Sequence, residues 1–161
     1  MREDFTREAE VALPRTVVWN VLNDVDALAS CSTRLAEVTS VVADQEWQLV
    51  LSDRVGPMTL SAPMSVTVVE RTPTEQVRIV ARGHDRLLGT RLEVEASVGC
   101  AETPTVDQTR VTLVGSYDVS GKAANLGSTI VRRQAKAMID EFWQNFSARL
   151  DQDDAARRPG L

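Results

Sequence analysis

Few residues of this 161-residue chain have the types and spacing that chemistry demands. The one histidine, His84, falls in Gly83-His84-Asp85-Arg86, which reads as a turn, so a Ser-His-Asp triad would have to be built on a loop. No cluster of His, Cys and carboxylates has metal-ligand spacing, and no metal site is expected. Neither a P-loop nor a GxGxxG is present, so a phosphate cradle built from glycine-rich backbone has no support. Cys31 and Cys100 are the two cysteines, and Cys31, just past a short helix, reads as a buried inert thiol rather than a nucleophile. Three polar residues fall in phase with apolar strand faces: Asp53, Thr90 and Tyr117. Tyr117 joins an apolar ring to one hydroxyl, which suits a ligand carbonyl or hydroxyl and equally suits a backbone or water partner. Asp53 stands toward a strand end and is expected to be solvated. This inventory assigns no catalytic residue and no cofactor.

The elements that would position these groups are read from periodicity. Phe5, Ala9, Val11 and Leu13 alternate with polar residues as a half-buried strand, which Pro14 ends. Two short helices follow, Arg15 to Asn23 around Trp19 and a second one through Leu28 and Ala29, with Asp24 or Asp26 as its cap. From about Leu35 to Val119 the period is two, broken by Ala43-Asp44-Gln45-Glu46, Gly56-Pro57, Thr72-Pro73-Thr74, the His84 turn and Thr103-Pro104-Thr105. Strands joined by short turns with one apolar face describe an antiparallel meander that something must cover. That cover is the proline-free stretch from about Ser120 to Leu150. Val131, Ala135, Met138, Ile139, Phe142, Phe146 and Leu150 form one apolar stripe on it, with Arg133, Lys136, Asp140 and Gln144 opposite. Ser120 is the expected cap. Arg132 and Arg133 belong either to the wet face or to a docking surface for an anionic partner. The expected class is α+β: about seven strands in the order β-α-α-β6-α, with a curved antiparallel sheet wrapped around the long helix. Residues 1–150 form one domain in this reading, and 151–161 form a polar tail.

Side-chain sizes on the apolar face point to unfilled volume. Ala62, Ala81, Ala96 and Gly115 occupy inward positions where Leu or Phe would fill space, and the chain has only seven aromatic residues. Interiors pack densely, so a helix over such a face implies collapse or a ligand. The expected pocket is lined by Met58, Leu60, Ala62 and Met64, with Ala81 on the next strand. Leu92, Val94 and Ala96 continue it, followed by Leu113, Gly115 and Tyr117. The helix contributes Val131, Ala135, Met138 and Phe142.

Composition bounds the partners. A net charge of −5 and the lack of a basic stripe argue against nucleic acid. The charged start, MREDFTREAE, is no signal peptide, and no apolar run approaches the ~20 residues that span a bilayer. Two cysteines fit a reducing cytosol, so a cytoplasmic location is expected.

Three stretches carry a family resemblance. Leu13–Cys31 (LPRTVVWNVLNDVDALASC), Arg54–Val68 (RVGPMTLSAPMSVTV) and Tyr117–Leu150 resemble the CoxG family of carbon monoxide dehydrogenase subunits. The third is the most specific, through Gly121-Lys122, Leu126-Gly127-Ser128 and Phe142…Phe146. The element order is similar to the helix-grip fold of the START/Bet v 1-like (SRPBCC) superfamily. The resemblance implies a non-catalytic carrier of a quinone- or lipid-like molecule. It also implies an oxidoreductase partner of the molybdenum hydroxylase or CO dehydrogenase type, and membrane contact that is at most peripheral. Two departures stand out. Cys31-Ser32-Thr33-Arg34-Leu35 stands where the family often reads C-I-P-G-C, and the sequence stops about ten polar residues after the helix where many family members continue through a Pro-rich linker to a membrane-associating tail, so autonomous membrane attachment is not expected. The Gly121 to Ser128 stretch reads as a flexible entrance. The fold also accommodates two rivals: a polyketide cyclase/aromatase-like enzyme, and an assembly factor that has no ligand.

Overall fold

The computed structural model describes residues 1–157. Its elements run β1 (Arg2–Val11), α1 (Arg15–Leu22), α2 (Val25–Ala29), β2 (Leu35–Val42), β3 (Glu46–Val55) and β4 (Met58–Thr72). They continue with β5 (Gln76–Asp85), β6 (Thr90–Glu102), β7 (Thr109–Ser120), a 3-10 turn at Ala124–Leu126 and α3 (Ser128–Arg157). This is the expected β-α-α-β6-α order. The seven strands form one antiparallel sheet in the order β1-β7-β6-β5-β4-β3-β2, a meander in which the first strand joins the far edge of the last.

The period-two pattern fixes which face is inward. Leu51, Ala62 and Met64 share a face with Ala81, Val94 and Tyr117 across the registers of β3 to β7. Glu3, Phe5 and Arg7 of β1 join that face through Tyr117, Gly115 and Leu113. Helix α3 approaches both β1 and β3, although four strands separate them in the sheet. Only a sheet that curls around the helix brings both flanks to it. A short α1 packs on β6 and closes one end. Its start follows the sequence: Pro14 sits extended at the N-cap, where its missing N–H costs nothing. Of the two aspartates proposed to cap α2, Asp24 does so, accepting from the Ala27 N–H at 3.0 Å.

Two boundaries differ from the sequence reading. The long helix starts at Ser128 rather than Ser120, and it continues past Leu150 to Arg157. At the start, Gly121 (φ +91°) lies so close to Gly89 that an added Cβ would overlap the Gly89 carbonyl, so the chain turns there before it coils. At the end, nothing in 151–157 breaks a helix, so the expected polar tail is helical as far as Arg157; its remainder, 158–161, lies outside the described residues. The His84 turn is also displaced. Gly83, His84 and Asp85 belong to β5, and the turn falls at 86–89, where Gly89 supplies a positive φ of +54°.

Candidate functional site

The helix is buried at two levels and only partly buried between them, where Met138 packs against one cluster and Phe142 against the other. Val131 joins one core cluster, with Leu49, Leu60, Ala62, Met64 and Ala81. Phe146 and Leu150 join a second, with Val18, Trp19, Leu22, Cys100 and Val111. Between them Ala135, Met138 and Phe142 stay only partly buried, as do Leu92, Val94 and Ala96 across the interior on β6. The core is therefore divided, and the apolar residues at its waist have not reached the burial of those at either end.

Against this division the expected lining residues sort into two groups. Leu60, Ala62, Met64, Ala81 and Val131 sit in a packed cluster, and Leu113 is buried as well. Leu92, Val94, Ala96, Gly115, Tyr117, Ala135, Met138 and Phe142 are partly exposed, and Met58 is half-exposed where β4 leaves the Gly56 turn. The small residues do not all leave space. Ala62 is 0% exposed and Ala81 7%, so both are closed over. Gly115 is covered by the Phe5 ring, which occupies the place a side chain would take, and Gly83 is covered in the same way by Met64. Ala96 alone of the four singled-out small residues has neither fate. Tyr117 stacks against Phe5 with ring centroids 6.4 Å apart. Burial first, and the Glu3 carboxylate second, push its phenol above the usual range, so it stays a neutral donor and acceptor at physiological pH.

Along both flanks the helix is tied by polar side chains. On the β1 side Arg7 donates to Asp140 at 2.8 Å, and Arg132 donates to Glu3 at 2.6 Å. Hydrogen bonds from Lys136 and Arg7 hold the Asp140 carboxyl below its usual value. On the β3 side Glu141 accepts from the Thr33 N–H at 2.8 Å and from the Thr33 hydroxyl at 2.9 Å, and pairs with Arg34 at 3.0 Å. Burial would raise the Glu141 carboxyl, but the Thr33 and Ser32 hydrogen bonds and the Arg34 charge outweigh it and hold it low. Arg34 also pairs with Asp53 at 3.0 Å, and Gln134 donates to Asp53 at 2.8 Å. Asp53 is thus not the solvated strand-end residue that its position implied. Its partners lie far off in sequence, and no local signal announces them. Of the two arginines left open, Arg132 is taken up by Glu3, while Arg133 is exposed.

The remaining polar groups are structural. Asp85, 4% exposed, accepts from the Ser61 N–H at 2.9 Å and the Leu88 N–H at 3.0 Å, and these bonds hold its carboxyl low. Thr90 accepts from the Ala123 N–H at 3.2 Å, which with the Gly121–Gly89 approach pins the stretch before α3. Of the expected flexible entrance, Gly121-Lys122 is held by these contacts, while at Leu126-Gly127-Ser128 no atom lies within 4 Å of where a Gly127 side chain would stand. Burial raises the thiols of Cys31 and Cys100, the latter to about 11, which makes both poor nucleophiles. Two depressions, of about 550 and 510 Å³, are lined mainly by outward-phase residues such as Arg78, Glu95 and Ser116, and Arg82, His84 and Arg91. They lie on the face away from the helix. Among the described residues no group of three or more His, Cys, Asp and Glu could hold a metal ion, and no helix is long and apolar enough to cross a membrane.

A seven-stranded sheet curled around a C-terminal helix is the helix-grip fold seen in START/Bet v 1-like proteins, and solved structures share it. A START superfamily protein from Mycobacterium smegmatis superposes with a TM-score of 0.67 at 14% identity, covering 92% of this chain and 97% of that one. The profile of the CoxG family of carbon monoxide dehydrogenase subunits matches residues 8–151, and the chain belongs to that family. A conserved protein from Geobacillus kaustophilus superposes with a TM-score of 0.79 at 16% identity, covering 93% and 96% of the two chains. The Zhui aromatase/cyclase from Streptomyces sp. R1128 does so at 0.69 and 15%, covering 99% and 98%. At such identities these structures establish the fold alone. A search of curated protein sequences gave no match.

Proposed function

We propose that the chain is a non-catalytic carrier of an apolar small molecule, quinone- or lipid-like, held at the waist between the two core clusters. The divided core carries this reading. Leu92, Val94 and Ala96 on β6 face inward with Met138 and Phe142 on the helix, all apolar and none fully buried, between clusters that are. A fold that can bury Ala62 and Val18 to 0% exposure can also close a waist, so an incompletely closed apolar waist fits a guest. In this reading Tyr117, partly buried and stacked on Phe5, is the polar group that orients a carbonyl or hydroxyl on that guest. Membership of the CoxG family favours an oxidoreductase of the CO dehydrogenase or molybdenum hydroxylase type as the partner served. Titration with decylubiquinone, followed through the fluorescence of Trp143 beside Phe146, tests it. Saturable quenching is expected, and Met138→Trp should abolish binding while leaving the stability within about 1 kcal/mol of the parent. Quenching that persists unchanged in Met138→Trp would remove the waist as the site.

The second reading is an aromatase/cyclase-like enzyme, favoured by the fold shared with the Streptomyces enzyme. It needs an inward acid or base free to meet a ring. Asp53 is engaged by Arg34 and Gln134, and Thr90 by backbone, which leaves Tyr117. Turnover of a polyketide chain that Tyr117→Phe eliminates would favour this reading over the carrier.

A further inference from the structure

The loop between α2 and β2 bridges the two halves of the divided core. Cys31 at one end belongs to the cluster around Phe146, and Leu35 at the other packs on the cluster around Val131. The three residues between them, Ser32, Thr33 and Arg34, carry no apolar side chain. They cross the helix where Glu141 stands between Met138 and Phe142, the level at which the waist is incompletely closed. What holds the loop there is polar throughout. Glu141 takes the Thr33 N–H, the Thr33 hydroxyl and the Arg34 guanidinium. Asp53 takes the other side of Arg34, and Asn145 donates to the Cys31 carbonyl at 2.8 Å. Apolar packing is lost as a whole when a seam opens, whereas hydrogen bonds and ion pairs can be exchanged for water at small net cost.

We propose that Ser32–Arg34 is a latch over the waist, closed by Glu141 and Asp53, and that its release is the step by which an apolar guest enters and leaves. The guest rests on the function proposed above; the latch itself does not. Released, the loop swings from the helix, frees the edge between Leu35 and Phe142 and draws Cys31, at its end, off the cluster around Phe146, while the rest of both clusters stays intact. The tethers on the opposite flank, Arg7–Asp140 and Arg132–Glu3, remain closed.

Cys31 reports the opening directly, because it is the buried residue at the end of the loop, with Sγ 3.4 Å from the Ala27 carbonyl. In a Cys100→Ala background, the rate at which 5,5′-dithiobis(2-nitrobenzoic acid) labels Cys31 is compared between the parent, Glu141→Gln and Arg7→Gln. Glu141→Gln should accelerate labelling at least tenfold beyond any change in its global unfolding constant, and Arg7→Gln should not. The milder Thr33→Val, which keeps the N–H, should give a smaller rise in the same direction. Labelling that follows global unfolding in every variant, or rises equally in Arg7→Gln, overturns the latch. Decylubiquinone exchange then separates the two claims. Entry and exit rates that rise together in Glu141→Gln, with Kd within twofold, support the latch as the portal. Rates unchanged while Cys31 labelling rises overturn it as the portal. Absence of quinone binding in the parent, with labelling still responsive, overturns the carrier and leaves the latch standing.

Discussion

Asp85 illustrates how a single carboxylate can be structural in a chain with so few inward charges. Its two backbone hydrogen bonds tie the start of β4's apolar run to the β5–β6 turn, and they hold its carboxyl below the usual value. A group whose pKa is lowered on folding stabilises the fold above its unfolded value of about 4, and that stabilisation is lost as pH falls through the lower folded value. Asp85→Asn should therefore cost about 1–3 kcal/mol at pH 7, read as a lower thermal midpoint, with the gap to the parent narrowing below about pH 4. A constant gap from pH 7 to 3 would show that the charge of Asp85 is not what the turn uses. At this scale the sequence was informative about type and poor on partners. Alternation placed Asp53, Thr90 and Tyr117 inward, and all three face inward. It could not tell that Asp53 meets Arg34 and Gln134, 19 and 81 residues away: the β2–β3 pairing, with the Ser52 N–H on the Arg34 carbonyl, brings the first, and the approach of the helix to β3 brings the second.

At the scale of the element, the long helix is two anchors joined by a span. The 3.6-residue period revealed its apolar stripe but gave every stripe position equal weight. The structure buries Phe146 to 1% exposure and leaves Phe142, one turn earlier and stacked on it at 5.9 Å, only partly buried. That difference depends on what lies opposite, which periodicity along one chain segment cannot report. It predicts that Phe146→Ala costs about 3–5 kcal/mol and Phe142→Ala less than about 2 kcal/mol, measured by denaturant unfolding. Equal losses would mean that the waist is packed as firmly as the ends. The start of the helix was misplaced for a similar reason. Ser120 is a reasonable cap by residue type, but the contact between Gly121 and Gly89 forces the chain through a joint first.

At the scale of the molecule, the meander pattern and turn spacing made the whole topology legible, down to seven strands and two short helices in order. Each turn carries its own local chemistry, and each strand its own alternation. The interior was less legible. Small residues at inward positions pointed to volume, yet Phe5 fills the place at Gly115 and Ala62 and Ala81 are closed over, through packing no local rule foretells. The site proposed above is narrower than the expected lining: the partly buried residues Leu92–Ala96 and Met138–Phe142, beside the polar ties of the helix to β1 and to the Ser32–Arg34 loop. The central claim is that this waist holds an apolar guest. Native mass spectrometry of the protein, purified without detergent, tests it most directly. The account predicts a retained adduct with the mass of a quinone or lipid, present in the parent and absent in Met138→Trp. A parent that flies at the mass of the bare chain, and stays so after incubation with decylubiquinone, would contradict it.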